Sequence, residues 1–179
     1  MVESPTTQVW IGRALFVGLT FAIIFVRLLP LETLPRSFGF PDAMICLTLT
    51  WTVRRPDYVP ALLIAALFLL ADMLFQRPPG LWTALVLVLT ETLRARSLGL
   101  RSMHFTVEWA TVAAGLVVIT LVYSASLAVV MVARPPLSLA LTQMVITILF
   151  YPIVVGLSHV IFGVSRPPAG AVDPHGHRL

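Results

Sequence analysis

Residues 62–93, LLIAALFLLADMLFQRPPGLWTALVLVLTETL, contain two apolar runs joined by the short polar hinge 76–80. Each run carries one acid, Asp72 in the first and Glu91 in the second. An ionised carboxylate at the centre of a membrane helix costs about 2.5–3.5 kcal/mol even on insertion scales. Such an acid must face other protein, pair with a base or stay protonated. We interpret the stretch as a helical hairpin, the inner pair of a membrane bundle, with Asp72 pointing away from lipid.

The composition of the whole chain supports this interpretation. The 179 residues are 58% hydrophobic and 11% charged, with a mean hydropathy of +0.94, whereas a soluble domain has about 25% charged residues. The length allows about five or six spanning helices of roughly 20 residues each. We therefore predict an all-α fold, a polytopic membrane bundle of about six transmembrane helices. Residues 1–162 form its single transmembrane domain, and residues 163–179 are expected to be a disordered cytoplasmic tail.

Apolar runs and prolines predict the individual helices. The runs are 14–26, 43–53, 59–75, a fourth that ends at Glu91, 105–133 and 137–162. The first is taken as an uncleaved helix because no small-residue cleavage motif follows it. Its small residues Ala14, Gly18 and Ala22 either form a helix-packing face or recur by chance. In the last run Pro152 should kink the helix and free the Ile148 carbonyl, which a neighbour or water must then satisfy.

The positions of the basic residues predict the orientation in the membrane. All 12 basic residues are arginine. With six spans and both termini in the cytoplasm, eight arginines lie on the inner side and four, Arg27, Arg36, Arg77 and Arg134, on the outer side. The positive-inside rule favours this arrangement. The net charge of +4 therefore relates to topology, and no nucleic-acid partner is expected.

Few residues suggest catalysis or metal binding. Ser158 and His159 are adjacent, so on one helix their side chains point about 100° apart and cannot act together as nucleophile and base. His175 and His177 lack the remaining ligands of a closed metal site. Cys46 is the single cysteine and forms no intrachain disulfide. We predict no enzyme activity, no cofactor and no metal.

Polar residues near the ends of the apolar runs are the candidate site residues. Pro41 and Asp42 suit a helix start, where proline is tolerated and an acid meets the helix dipole. Arg55-Pro56 is read as a topology anchor followed by a turn. Two readings of Asp72 stay open. It is either a functional acid that lines a cavity or meets a partner's base, or a structural ion-pair partner of Arg77 or Arg36.

One further pair is expected on a helix surface. Glu91 and Arg94 are three residues apart, a spacing that allows an ordinary salt bridge.

The order of these motifs is similar to that in a known family. Pro41-Asp42 opens a short apolar run, Arg55-Pro56 follows in the next loop, an apolar helix carries Asp72, and Pro79-Gly80 leads into another helix. This ordered set, over residues 40–93, resembles the bacterial rod shape-determining protein MreD family. Elsewhere only length and hydropathy agree.

The resemblance implies a fold, a role and partners. The expected fold is a six-helix bundle like the substrate-binding membrane components of vitamin transporters. The implied role is a non-catalytic subunit of the cell-elongation complex in the bacterial inner membrane. Its direct partner would be MreC, with MreB, RodA and a class-B penicillin-binding transpeptidase in the same assembly. The chain would also contact membrane lipid, and a homodimer is compatible with this role. Partner-binding or structural roles are expected for Pro41, Asp42, Arg55, Pro56, Asp72 and Gly80.

An alternative function is a small-molecule-binding membrane subunit of a transporter. The feature that separates the two hypotheses is a polar cavity of ligand size. The apolar runs offer few inward polar candidates: Thr48, Thr50, Asp72, Thr90 and Ser124. This scarcity favours the elongation-complex subunit.

Overall fold

The computed structural model describes residues 5–29, 39–130 and 136–162. The predicted tail lies outside these residues, as does most of the loop that contains Arg36. The described part consists of helices and the turns between them, with no strand, which confirms the all-α prediction for it. Its elements are α1 (Pro5–Leu28), α2 (Ala43–Arg54), a single 3₁₀ turn (Pro56–Tyr58), α3 (Ala61–Leu74), α4 (Leu81–Ser102), α5 (Phe105–Val129) and α6 (Leu137–Phe162).

Helix boundaries follow the apolar runs except where a helix continues into polar sequence. The bounds of α2 and α6 agree closely with the predicted runs. The prediction that the fourth run ends at Glu91 is wrong for the helix, because α4 continues to Ser102. Arginine is a good helix former, and the Glu91–Arg94 pair bridges the two segments. Hydropathy marks where apolar sequence stops, whereas the backbone hydrogen bonds of a helix continue beyond that point.

Three of the described helices are long and apolar enough to cross a membrane: Thr6–Leu28, Phe105–Val129 and Ser138–Phe162. Their outer surfaces carry large exposed apolar side chains such as Phe25, Val129 and Val160. The helices α2 and α3 are also apolar but have only 12 and 14 residues. At 1.5 Å per residue, α2 is about 18 Å long, against about 30 Å of bilayer hydrocarbon.

The shortest helix, α2, lies at the centre of the bundle. Every residue from Met44 to Arg54 is buried, and α2 packs chiefly against α4 and α6. The hairpin of α3 and α4 lies beside it and exposes Leu62, Met73 and Val88. The interpretation of this hairpin as the inner pair is therefore wrong. Because protein surrounds α2, its length need not match the thickness of lipid, and its ends can be satisfied by neighbouring helices.

Two of the three threonines of α2 satisfy their buried hydroxyls within the helix. The hydroxyls of Thr48 and Thr52 donate to the carbonyls of Met44 and Thr48, at 2.8 and 2.7 Å. These groups are thus satisfied within the helix itself and need no partner from outside. Trp51, fully buried, fills the space between α2 and its neighbours, and its ring centroid lies 5.7 Å from that of Phe16 and 6.0 Å from that of Phe162.

Contacts between helix ends show that the bundle has two distinct ends. At the first end, the last turn of α1 meets the start of α2, where Arg27 donates to the Pro41 carbonyl at 3.2 Å. At the second end, the first half of α1 meets the segment after α2, where Arg13 donates to the Asp57 carbonyl at 3.1 Å. We call the first the Asp72 end, after the acid near the last turn of α3, and the second the Arg54 end. Consecutive helices therefore alternate in direction.

The carbonyl freed by Pro152 has a partner. Pro152 lies inside the continuous helix α6, and the indole Nε1 of Trp109 on α5 donates to the Ile148 carbonyl at 3.0 Å. The prediction that a neighbour or water must satisfy this carbonyl is confirmed. A sequence feature of one helix thus determines a contact between two helices.

Glycine allows close contact on α1, but at a position other than the expected small-residue face. Ala14, Gly18 and Ala22 are all exposed, and a Cβ on Gly18 would meet nothing within 4 Å. Gly12 instead lies against Tyr58, where a Cβ would come within 2.5 Å of the ring. The close approach of α1 therefore occurs at the Arg54 end.

Candidate functional site

Pro41 and Asp42 form the junction between α1, α2 and α6. The Asp42 carboxylate accepts the Ile45 amide at 3.4 Å, so it caps α2 as its position predicts. Its other oxygen lies 3.5 Å from Arg27 Nη1, and its backbone amide donates to Thr147 Oγ1 at 3.0 Å. Because Asp42 is buried, these contacts combine helix capping with an ion pair and a link to α6.

Asp72 links α3 to the beginning of α4. Its Oδ2 accepts three hydrogen bonds, from the Gly80 amide (3.2 Å), the Thr83 amide (3.2 Å) and the Thr83 hydroxyl (2.8 Å). These amides belong to the first turn of α4, where the helix dipole favours a negative charge. The carboxylate thus caps a helix from a neighbouring one. Gly80 has φ +85°, a left-handed conformation that glycine adopts without strain.

The contacts of Asp72 can be compared with the two roles that the sequence left open. The side chain is 0% exposed, so it faces other protein. It forms no ion pair with Arg77 within the described residues, and Arg36 lies outside them. Its Oδ1 has no hydrogen-bond partner within the same residues. Thr83 was missed from sequence, although a buried acid eleven residues before a threonine at a helix start is the signal that could have identified it.

Arg55 and Pro56 form a turn, as expected. Pro56 begins the 3₁₀ turn, and the Arg55 guanidinium lies 5.9 Å from the Tyr58 ring centroid. The Pro56 carbonyl accepts Arg94 Nη1 at 2.9 Å. Arg94 Nε also lies 3.0 Å from Glu91 Oε1, which confirms the predicted salt bridge. Arg94 therefore links the second half of α4 to the turn between α2 and α3.

A buried ion pair lies at the Arg54 end and was not assigned from sequence. Glu108 on α5 is 0% exposed, and its Oε1 lies 3.4 Å from Arg54 Nη2 on α2 and 2.9 Å from the Tyr151 hydroxyl on α6. One carboxylate oxygen on α5 thus contacts two other helices and joins three. An isolated charge in such a place is costly, and the ion pair together with the hydroxyl makes it tolerable. Since 54 and 43 residues separate Glu108 from its partners, local spacing could not reveal this cluster.

A cavity of about 570 Å³ lies at the Asp72 end. Its polar lining contains many more groups than the sequence analysis expected. The polar lining residues are Asp42, Gln76, Arg77, Thr120, Tyr123, Ser124, Gln143 and Thr147. Of the five predicted inward polar residues only Ser124 is among them, whereas Thr48, Thr50, Asp72 and Thr90 are buried elsewhere in the bundle. The size falls in the range of small-molecule pockets.

Trp82 packs inside this end of the bundle. Its ring meets Tyr123 edge-on with centroids 5.1 Å apart, and the Arg77 guanidinium lies 5.7 Å from its centroid. It also lines the cavity.

The residues considered for catalysis remain apart from one another. Ser158 is buried and accepts the Trp51 indole at 3.3 Å, whereas His159 is exposed. His175 and His177 lie outside the described residues. Within the described ranges, no group of three or more His, Cys, Asp and Glu side chains could hold a metal ion.

The six site residues chosen from sequence therefore divide between the two ends. Pro41, Asp42, Asp72 and Gly80 lie at the Asp72 end, and Arg55 and Pro56 at the other. All six take part in contacts that join helices or shape turns. The chain has no significant match among protein-family models, curated proteins or solved structures.

Proposed function

We propose that this chain is a non-catalytic membrane subunit of the bacterial cell-elongation complex, related to MreD, that links MreC and the cytoskeleton to peptidoglycan synthesis. One observation carries the proposal. The motifs that resemble MreD open and close α2, the buried central helix, and join α3 to α4. Residues that cap helices and hold the bundle together are the kind that members of a family with one helical fold would have in common.

The distribution of mass also supports a scaffold role. Apolar helices make up most of the described chain, and the turns 55–60 and 75–80 between them are short. A protein of this form recognises partners through helix faces and short loops, where packing and buried polar contacts carry specificity. The exposed apolar faces of α1, α5 and α6 provide such surfaces for MreC or for lipid.

The proposal includes six spans with both termini in the cytoplasm of the inner membrane. The alternating helices group Arg13, Arg54, Arg55 and Arg94 at one end, and Arg27 and Arg77 at the other. The end with more arginines would face the cytoplasm. Protein surrounds α2, so that its 12 residues can cross within the bundle despite their short length.

Single cysteines test this topology. The native Cys46 is fully buried and should not react, so Pro79→Cys and Ala95→Cys, both at exposed positions, can be labelled separately in intact cells. An impermeant maleimide should modify position 79 and leave position 95 unmodified until the membrane is opened. The reverse pattern would refute the orientation, and labelling of both positions from outside would refute the alternation.

The Asp72 end would support the surface that meets the elongation complex. Asp42 and Asp72 are buried and bonded within the chain, so they would act by holding helix ends and loops in place. Asp72→Asn keeps the shape and removes the charge. The variant should accumulate in the membrane and fail to support rod-shaped growth. Full complementation with normal MreC pull-down would show that the acid is a local structural partner only.

Co-purification tests the function itself. After mild solubilisation, the tagged chain should bring down MreC, RodA and a class-B penicillin-binding transpeptidase. A topologically similar membrane protein with the same tag is the control. Their absence, with the chain intact and folded, would refute the proposal.

A transporter subunit that binds a small molecule is the second candidate function. The cavity at the Asp72 end favours it, because its lining is more polar than the sequence analysis expected. Co-purification of an ATPase module in place of MreC would support this function.

A further inference from the structure

The cavity at the Asp72 end is built by four parts of the chain. The start of α2, the turn between α3 and α4, the second half of α5 and the first half of α6 all contribute to its wall. Two of these helices, α5 and α6, are among the long apolar ones. The apolar part of the wall is formed by Ile45, Leu116, Leu127, Leu139, Ala140 and Met144. The cavity thus has both polar and apolar lining residues, and α5 and α6 contribute to each.

The charges in the wall do not balance. Asp42 is neutralised by Arg27 at 3.5 Å and also caps α2, so its carboxylate is already engaged. Arg77 forms no ion pair and no side-chain hydrogen bond within the described residues. It rests between the rings of Phe75 and Trp82, 5.4 and 5.7 Å from their centroids. These rings hold the guanidinium in place and leave its donors available for an anion.

Hydroxyl groups on α5 show the same contrast between engaged and available donors. Thr111 and Ser126, which do not line the cavity, donate to carbonyls of their own helix at 2.7 and 2.8 Å. Thr120 and Ser124, which do line it, form no side-chain hydrogen bond within the described part of the chain. Half-buried hydroxyls at the wall of a cavity can bind acceptors on a ligand.

Two further side chains add donors on the same wall. Within the described residues, neither the Tyr123 hydroxyl nor the Gln143 carboxamide forms a hydrogen bond, and both line the cavity. The available groups are therefore one cation, three hydroxyls and at least one amide, in a cavity that also has apolar lining residues. This donor-rich set matches an acceptor-rich, negatively charged group better than it matches a cation or a hydrocarbon.

We propose that this cavity is a binding site for an amphiphile whose phosphate headgroup carries a net negative charge, which Arg77 holds together with the donors of Tyr123 and Gln143. The apolar part of the ligand lies against the leucines of α5 and α6. A volume of about 570 Å³ accommodates a headgroup with the first part of an acyl chain. The inference does not depend on which proteins the chain assembles with, because the isolated chain can be tested.

The test uses the full chain purified in a neutral detergent, with native mass spectrometry and thermal unfolding as readouts. Three probes are compared: short-chain phosphatidylglycerol, phosphatidylcholine with the same chains, and soluble glycerol phosphate. Phosphatidylglycerol should bind and raise the unfolding temperature more than phosphatidylcholine. If glycerol phosphate alone binds as tightly, the source of the headgroup is a soluble organophosphate. Binding of phosphatidylglycerol alone identifies a lipid.

Matched variants locate the binding site. Arg77→Gln should weaken phosphatidylglycerol binding at least about tenfold, since a charge-assisted hydrogen bond is lost. Arg96→Gln removes the same charge from an exposed position on α4 outside the cavity and should leave binding unchanged. Ser124→Leu fills the cavity and should also reduce binding, whereas Ser126→Leu on the same helix should not.

Two results would contradict the proposed lipid site. Equal binding of phosphatidylglycerol and phosphatidylcholine, or no change in Arg77→Gln and Ser124→Leu, would overturn the proposal. If Arg77→Gln does not fold, Ser124→Leu and its control decide. Loss of lipid binding with normal recovery of MreC would show that the two proposals are independent.

Discussion

Asp72 and Glu108 are the two acids with 0% exposure in the described bundle, and they are accommodated in opposite ways. Asp72 accepts amide and hydroxyl hydrogens from the start of a helix that begins nine residues after it. Glu108 meets an arginine and a tyrosine from two helices far away in sequence. A helix start can stabilise a carboxylate locally, whereas an acid beside a helix interior needs a distant base. The first contact closes a hairpin, and the second holds three helices together.

The two ends also differ in packing. At the Arg54 end Trp51, Tyr58 and Gly12 leave little free space, since Trp51 and Tyr58 lie 6.0 Å apart between centroids and Gly12 touches the Tyr58 ring. At the Asp72 end the cavity of about 570 Å³ remains between the helices. The Arg54 end therefore has the form of a packed core and the other end that of a binding site. The following predictions test this difference.

The largest effect is expected from separating the buried ion pair. Glu108→Ala leaves Arg54 as a buried charge without its carboxylate and should lower the free energy of unfolding by about 3–5 kcal/mol. Unfolding in mixed micelles measures it. Glu91→Gln, which breaks the exposed pair with Arg94, is the matched control and should cost about 0–1 kcal/mol. Equal losses in the two variants would show that Glu108 does not hold the helices together.

A double substitution sharpens the same comparison. Replacing Arg54 by Met and Glu108 by Leu removes both charges and keeps apolar volume. The free energy of unfolding should be restored to most of the value that Glu108→Ala loses, because no buried charge then remains unpaired.

Loss of the cap on α4 should have the next largest effect. Asp72→Ala leaves three donors of Gly80 and Thr83 without their acceptor and should cost about 1–3 kcal/mol in total, the range of a lost helix cap with a buried donor left unpaired. Asp72→Asn retains one acceptor oxygen and should lose much less, and Thr83→Val removes only the hydroxyl bond. Hydrogen exchange at the start of α4 should increase in Asp72→Ala while the exchange of α2 stays unchanged. Faster exchange throughout the bundle would contradict a local role.

Packing differences between the ends predict opposite responses to added volume. Gly12→Ala forces a methyl group into the Tyr58 ring and should destabilise the chain by about 1–3 kcal/mol. Gly18→Ala on the same helix meets open space and should be neutral or stabilising. Ser124→Leu at the cavity should be tolerated. Thermal unfolding compares the three, and destabilisation by Ser124→Leu as large as that by Gly12→Ala would show that the cavity end is packed as tightly.

The smallest effect concerns the contact made necessary by Pro152. Trp109→Phe removes the indole donor to the Ile148 carbonyl and should cost about 1 kcal/mol. In a Pro152→Ala background the restored backbone amide can bind that carbonyl, so the additional cost of Trp109→Phe should shrink. A double-mutant cycle measures this coupling. Additive effects would show that the indole bond is independent of the proline.

Sequence alone determined the features that depend on local chemistry. Apolar runs predicted the all-helical class and the cores of the helices, and Pro41-Asp42 predicted the start of α2, because caps and turns involve neighbours along the chain. The freed carbonyl at Ile148 followed from Pro152 for the same reason, and the Glu91–Arg94 pair from its spacing on one helix. In each case both partners, or the need for one, lie within a few residues.

Only the tertiary structure decided which helix is central and which distant groups meet. Hydropathy measures how apolar a helix is and not what surrounds it, so that short, threonine-bearing α2 was not expected at the centre. The Arg54–Glu108–Tyr151 cluster and the lining of the cavity join residues from separate helices, whose faces are set by packing. The sequence shows that a buried acid needs a partner. Which residue becomes that partner depends on the rotation and register of the packed helices.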